Sequence, residues 1–97
     1  VFDSILNMYP DHAQANHRMG LLKIDSGITL EALPYLENAI ISDPSIFQFW
    51  VSLSETLVQL GQFEEAIKII NLAKESGLDG EEFKTLETKL TTNQSNV

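Results

Sequence analysis

Residues 27–39 read GITLEALPYLENA, and residues 61–73 read GQFEEAIKIINLA. Both stretches carry a glycine, a glutamate and an alanine at the same relative positions, 34 residues apart. The register extends further, because the same shift aligns Pro10 with Pro44 and Phe49 with Phe83. A fixed period of this length indicates a repeated supersecondary unit. The sequence therefore predicts an array of similar units.

The hydrophobic spacing inside each period is helical. Ala66, Ile70 and Ala73 lie on one side of a predicted helix, and the glycines at 27 and 61 are placed to end helices in left-handed turns. The predicted helices cover about 13–26, 47–60 and 63–76. Two helices in each period predict stacked helix hairpins.

The turns between periods carry a helix-start pattern, in which a short polar side chain is followed three residues later by Gln or Glu. The predicted capping boxes are Asp11 with Gln14, Ser45 with Gln48, and Asp79 with Glu82. Pro34 lies inside an expected helix, so we expect a late helix start or a small kink there, with Thr29 as the cap.

Composition and charge exclude several classes of function. The 97 residues are 43% apolar, which suffices for one domain, and no cysteine is present, which fits a reducing compartment and favours the cytoplasm. A formal net charge of −8 argues against nucleic-acid binding. No apolar run approaches a membrane span or a signal peptide. Because the chain starts at Val1, we expect a piece of a longer protein.

These features together resemble the tetratricopeptide repeat. One unit supplies Trp50, Leu53, Ala66, Ile70 and Ala73, with Ser54 replacing the family's first-helix glycine. The preceding unit supplies Met19, Gly20, Ala32, Leu36, Ala39 and Pro44 but departs from the pattern at Asn16 and Lys23.

The resemblance implies an all-α fold of antiparallel helix hairpins stacked as a right-handed superhelix. One domain would cover residues 1–91. It would consist of the second helix of a truncated repeat (1–10), two repeats (11–44 and 45–78) and a capping helix (79–91) with Phe83, Leu86 and Leu90 facing inward. A disordered polar tail would follow over 92–97.

Catalytic and metal sites are not indicated by the sequence. His12 and His17 lie five residues apart, whereas two ligands on one helical face lie three or four apart. His12 is interpreted as a solvated turn residue. The pairs Glu64–Glu65 and Glu81–Glu82 fall in first turns of helices, where the dipole favours negative charge. We therefore expect no cofactor, no metal and no enzymatic activity.

The resemblance also implies a peptide-binding concave face formed by the first helix of each repeat. Its expected residues are Gln14, His17, Arg18, Leu21, Ile24, Asp25, Gln48, Val51, Glu55, Val58 and Gln59. Gln14 and Gln48 could act as capping partners instead, and Leu21, Ile24, Val51 and Val58 could be partly buried between repeats.

The predicted function is therefore a monomeric protein-interaction module that binds a peptide or protein segment, or another domain of its own chain. A hydrophobic or weakly basic segment suits this face better than the acidic tail of a chaperone. The alternative is the N-terminal repeat region of a bacterial glycosyltransferase, sulfotransferase or methyltransferase, where it would assist substrate positioning or domain packing.

Overall fold

Five α-helices begin and end close to the limits that the sequence predicts. The computed structural model describes residues 12–95, and within them no strand is present. The helices are α1 (Ala13–Asp25), α2 (Thr29–Ser42), α3 (Phe47–Gln59), α4 (Phe63–Glu75) and α5 (Glu81–Ser95). The all-α helical repeat fold is confirmed. The truncated repeat predicted for residues 1–10 lies outside the described residues. The chain divides into two compact units, one ending at Phe49 and one beginning at Trp50.

Three helices end at a glycine with positive φ. These are Gly27 after α1 (φ 80°), Gly61 after α3 (φ 76°) and Gly77 after α4 (φ 89°). In each case the N–H of the residue after the glycine donates to the carbonyl five residues back, at 2.9 Å. This pattern satisfies carbonyls that the helix end leaves open. The predicted left-handed turns at Gly27 and Gly61 are confirmed.

The helix starts differ from the predicted capping boxes. His12 is the N-cap of α1, and its Nδ1 accepts the Ala15 N–H at 3.1 Å. The Ser45 hydroxyl donates instead to Asp43 Oδ1 at 2.6 Å, and α3 begins only at Phe47. The three predicted boxes are therefore wrong where the structure describes them, and Asp11 lies outside the described residues. Short polar side chains form competing bonds with nearby groups, which the spacing alone does not reveal.

The third box fails in the same way. Asp79 Oδ1 accepts a hydrogen bond from the N–H of the adjacent Gly80 at 2.8 Å, and α5 begins at Glu81. Asp79 is therefore bonded to its neighbour ahead of the helix and is not its cap. His12, interpreted as a solvated turn residue, is exposed but has this further role as a cap.

Pro34 lies in the interior of α2, which neither starts late nor uses Thr29 as its cap. Ile28 occupies the N-cap position without a side-chain hydrogen bond. Pro34 is exposed and has no N–H, so the Leu30 carbonyl lacks its usual helical donor. An exposed position therefore accommodates the proline within a continuous helix.

The first unit is organised by the close approach of α1 to α2. A Cβ atom added to Gly20 would lie 2.6 Å from Leu36 Cδ2, 2.8 Å from Leu36 Cγ and 3.4 Å from the Ala32 carbonyl oxygen. Leu36, Ala32 and Ala39 are fully buried. Only glycine fits at position 20 without displacing Leu36, so Gly20 sets the separation of these two helices.

In the second unit, α4 buries Ala66, Ile70 and Ala73 at positions that repeat those of α2. Between α4 and α5, Lys74 Nζ lies 2.7 Å from Glu87 Oε2. The hydrogen bond that the Lys74 ammonium donates to Glu87 raises the pKa of Lys74, as do the charges of Glu87 and Asp79.

The predicted inward-facing residues of α5 are confirmed, since Phe83, Leu86 and Leu90 are buried. However, α5 continues to Ser95, so the tail predicted to start at residue 92 is wrong for residues 92–95. No glycine or proline follows Thr91 to stop the helix. The Thr91 hydroxyl donates to the Glu87 carbonyl at 2.9 Å, within the helix itself. Nothing in this segment therefore opposes continuation.

Candidate functional site

Four of the predicted binding residues form one exposed line along α1. Gln14, Arg18, Leu21 and Asp25 are separated by four, three and four residues, which places them on one face of a helix. All four side chains are exposed. This face, which we call the α1 line, offers a carboxamide, a guanidinium, an apolar side chain and a carboxylate in sequence.

A depression of about 200 Å³ lies within the α1 line. It is lined by Arg18, Leu21, Leu22 and Asp25. Leu22 was not among the predicted residues, yet it is about half exposed. The sequence carries no signal for its exposure, because consecutive residues of one helix can both be buried, as Val51 and Ser52 are. An apolar floor between opposite charges can hold a side chain with an aliphatic stem and a polar end.

His17 was predicted to contact a peptide, but its side chain is buried, with 8% of the residue exposed. Its ring centroid lies 4.8 Å from that of Phe49, at an interplanar angle of 36°. Burial lowers the pKa of His17, and the charge of Arg18 lowers it further. The imidazole is therefore buried against an aromatic ring, and we remove it from the accessible face. Ile24 is half buried, so only part of its side chain is accessible to a peptide.

On α3, the accessible members of the predicted face are Gln48, Glu55 and Gln59, all exposed. Val51 is 1% exposed, so the alternative of burial holds for it, and it leaves no surface for a peptide. Val58 is half buried. The accessible face of α3 is therefore mainly carboxamide and carboxylate, without a basic side chain.

Gln14 and Gln48 do not act as capping partners in the structure. The N-terminus of α1 is capped by His12, and Ser45 is bonded to Asp43 rather than to the start of α3. Gln14 and Gln48 therefore remain available on the surface as hydrogen-bonding side chains.

Other candidate chemistry receives little support. Within residues 12–95, no three His, Asp or Glu side chains form a group that could hold a metal ion. Ser52 and Ser54 are buried in α3, whereas a serine nucleophile must be reachable. The pairs Glu64–Glu65 and Glu81–Glu82 lie in the first turns of α4 and α5, as predicted from the helix dipole. None of the described helices has the length and apolar composition of a membrane span.

Comparison with known families gives one match. A family model described as "Tetratricopeptide repeat" matches residues 23–90. This range covers α2, α3 and α4, most of α5, and only the end of α1. A comparison with curated proteins finds no match. The family match thus includes the accessible residues of α3, and of the predicted α1 residues only Ile24 and Asp25.

Proposed function

The chain belongs to the tetratricopeptide repeat family, and we propose that it holds a peptide or protein segment against the first helix of each repeat. Repeats of this family in general mediate protein–protein interaction and are scaffolds without catalytic residues. The observation that carries the proposal is the α1 line, where Leu21 is exposed between Arg18 and Asp25 over a depression. Accessible apolar surface flanked by charges is typical of peptide recognition.

The proposed contact residues are those that expose side chains. From α1 they are Gln14, Arg18, Leu21, Leu22 and Asp25, and from α3 they are Gln48, Glu55 and Gln59. The half-buried Ile24 and Val58 would contribute only part of their surface. His17 and Val51 are left out, because burial withdraws both side chains.

The proposed ligand is an extended segment that combines an apolar side chain with lysine or arginine. On α1, Leu21 and Leu22 supply the apolar contact and the carboxylate of Asp25 attracts a cation, and on α3 the carboxylate of Glu55 attracts a cation. Arg18 is the single basic residue among the proposed contacts, and the chain carries a net charge of −8, so an anionic peptide is disfavoured. The glutamine side chains can donate to and accept from the backbone of an extended peptide.

The test is a screen of short immobilised peptides of varied apolar and basic content with the fluorescently labelled chain. Peptides that bind should carry both an apolar residue and a lysine or arginine. For these peptides, the double variant Asp25→Lys with Glu55→Lys should weaken binding by about tenfold, because two attractions become repulsions. Binding to the parent chain should also weaken as salt rises.

The matched control is Glu64→Lys with Glu75→Lys, which makes the same change in net charge at two exposed positions of α4. It should leave peptide binding within about twofold of the parent. Circular dichroism should show the same helix content for all three proteins. Selected peptides that bind the Asp25→Lys, Glu55→Lys chain as tightly as the parent would refute this site.

A further inference from the structure

The second helix of the first repeat exposes an apolar face. Leu30, Pro34, Glu37 and Ile41 follow one another at spacings of four, three and four residues, and all are exposed. We call this set the α2 stripe. Leu30 is 63% exposed and Ile41 is 77% exposed. These are the largest exposures among the large hydrophobic residues that the structure describes.

The second repeat provides an internal comparison for the α2 stripe. A shift of 34 residues places Glu64, Lys68, Asn71 and Glu75 of α4 at the same four positions. These side chains are also exposed, but they are charged or polar, as a solvated helix face normally is. The leucine and isoleucine of the α2 stripe are therefore departures from the polar residues that the equivalent helix α4 exposes.

Pro34, at the centre of the stripe, is a second difference from the equivalent helix α4. Its ring removes the N–H that would pair with the Leu30 carbonyl, and the equivalent residue of α4 is Lys68, a good helix former. The stripe thus combines apolar surface with a backbone acceptor that lacks its helical donor.

The charges around the stripe select the kind of partner. The charged residues of α2 are Glu31 and Glu37, and both are acidic. Lys23 of α1 lies 3.7 Å from Glu31 and so already has an acidic neighbour. In a two-fold pairing of two copies through α2, each Glu37 would meet an acidic stripe, and each chain would bring a net charge of −8. A second copy is therefore disfavoured, and a cationic partner is favoured.

We propose that the α2 stripe docks an amphipathic helix of a partner protein, with apolar residues against Leu30, Pro34 and Ile41 and a lysine or arginine beside Glu37. The stripe covers three helical turns, or roughly 16 Å, which is enough for a short helix. This surface is separate from the α1 line, so the chain would engage an extended segment and a helix at different places.

The test uses two synthetic amphipathic helices of about four turns, each with leucines along one face. One carries lysines beside the leucines and the other carries glutamates. Fluorescence anisotropy should show that the parent chain binds the lysine peptide at least about tenfold more tightly than the glutamate peptide. The variant Leu30→Glu with Ile41→Glu installs the residues of α4 and should weaken binding of the lysine peptide at least about tenfold.

This variant is a strict test because it makes the chain more acidic. Non-specific attraction of the lysine peptide would increase, so a loss of binding by a variant that keeps the parent's helix content and melting temperature comes from the lost apolar contact. The control Asn71→Glu with Leu72→Glu adds the same two charges on exposed positions of α4 and should retain binding. A second variant, Glu37→Lys, keeps both apolar residues and should reverse the preference toward the glutamate peptide.

Two results would overturn the proposal. One is equal binding of the lysine peptide by the parent and by the Leu30→Glu, Ile41→Glu chain. The other is sedimentation of the parent as a dimer that this variant dissociates, which would assign the stripe to a second copy. Because the Asp25→Lys, Glu55→Lys chain keeps the stripe, its unchanged binding of the lysine helix would separate this surface from the α1 line.

Discussion

Replacing Gly20 by alanine should destabilise the first repeat, although alanine is the better helix former. The added Cβ would lie 2.6 Å from Leu36 Cδ2 and 2.8 Å from Leu36 Cγ, whereas carbon atoms in favourable contact are about 3.5–4.0 Å apart. Leu36 has no exposed surface, so its side chain cannot rotate into solvent. Either the leucine leaves its rotamer or α1 moves away from α2.

The magnitude follows from two opposing effects. Overpacking a filled core lowers the free energy of unfolding by about 1–3 kcal/mol. Replacing glycine by alanine in a helix interior raises it by roughly 0.5–1 kcal/mol. The net expectation for Gly20→Ala is a loss of about 1–2 kcal/mol in the free energy of unfolding. For a chain of this size, such a loss lowers the melting temperature by roughly 4–15 °C.

Urea denaturation followed by circular dichroism measures this loss through the midpoint and the slope. The double variant Gly20→Ala with Leu36→Ala identifies the cause, because a smaller residue at 36 leaves room for the new methyl group. The two changes should then couple favourably by about 0.5–2 kcal/mol. If the free-energy changes of the two substitutions are additive, the Leu36 side chain is not the group that requires glycine at position 20.

The second repeat offers the matched control at Ser54, which is equivalent to Gly20. Ser54 is fully buried, and its hydroxyl has no hydrogen-bond partner among the described residues. A side chain already fits here, so Ser54→Ala should be neutral or stabilising by up to about 1 kcal/mol. A Gly20→Ala chain as stable as the parent, or a Ser54→Ala chain that is clearly weaker, would refute this account of the two positions.

Three further changes test other parts of the fold. Pro34→Ala should stabilise the chain by roughly 1–3 kcal/mol in thermal melts, because it restores a helical N–H at an exposed position; no gain would mean that α2 is not continuous there. Because burial lowers the pKa of His17 below its ordinary value of 6.5, the unfolded chain binds the proton more readily, so stability should be level above pH 6.5 and fall as pH drops below it toward the folded pKa. Urea melts at about pH 7.5 and about pH 5.5 should show a smaller fall for His17→Gln, and an equal fall would assign the pH dependence to other groups. Ala66→Leu should cost about 1–3 kcal/mol by overpacking, and an unchanged urea midpoint would show that a larger side chain fits beside this buried alanine.

The helices could be predicted from the sequence because their information is local and repeated. Apolar spacing defines α1, α3 and α4, and the glycines at 27 and 61 fix the ends of α1 and α3 through a conformation that few other residues adopt. The helix starts could not be predicted in the same way. Ser45 and Asp79 each have the residue types of a cap, but nearby groups compete for the same polar atoms.

The accessible residues of the candidate site were predicted only in part, and the two failures share one cause. His17 and Val51 are equivalent positions, 34 residues apart, and both are buried. One repeat position was therefore assigned to the wrong side of the first helix in both units. A histidine suggests an exposed site by its chemistry, whereas the valine at the equivalent position indicates a buried one. Comparing the two repeats residue by residue would have favoured burial.

The same comparison separates residues that serve the fold from residues available for binding. Packing of a helix pair constrains both repeats alike, and accordingly Ala39 and Ala73 are equivalent, identical and fully buried. A partner that contacts one repeat constrains only that repeat. Leu30 and Glu64 are equivalent and exposed, yet one is apolar and the other charged, so the repeat position itself does not require an apolar side chain. If Leu30→Glu leaves the melting temperature unchanged while abolishing binding of a cationic amphipathic helix, the apolar residue is retained for a partner. If it lowers the melting temperature as a buried substitution would, Leu30 belongs to the core of the first unit. The difference between Leu30 and Glu64 would then not indicate a binding surface.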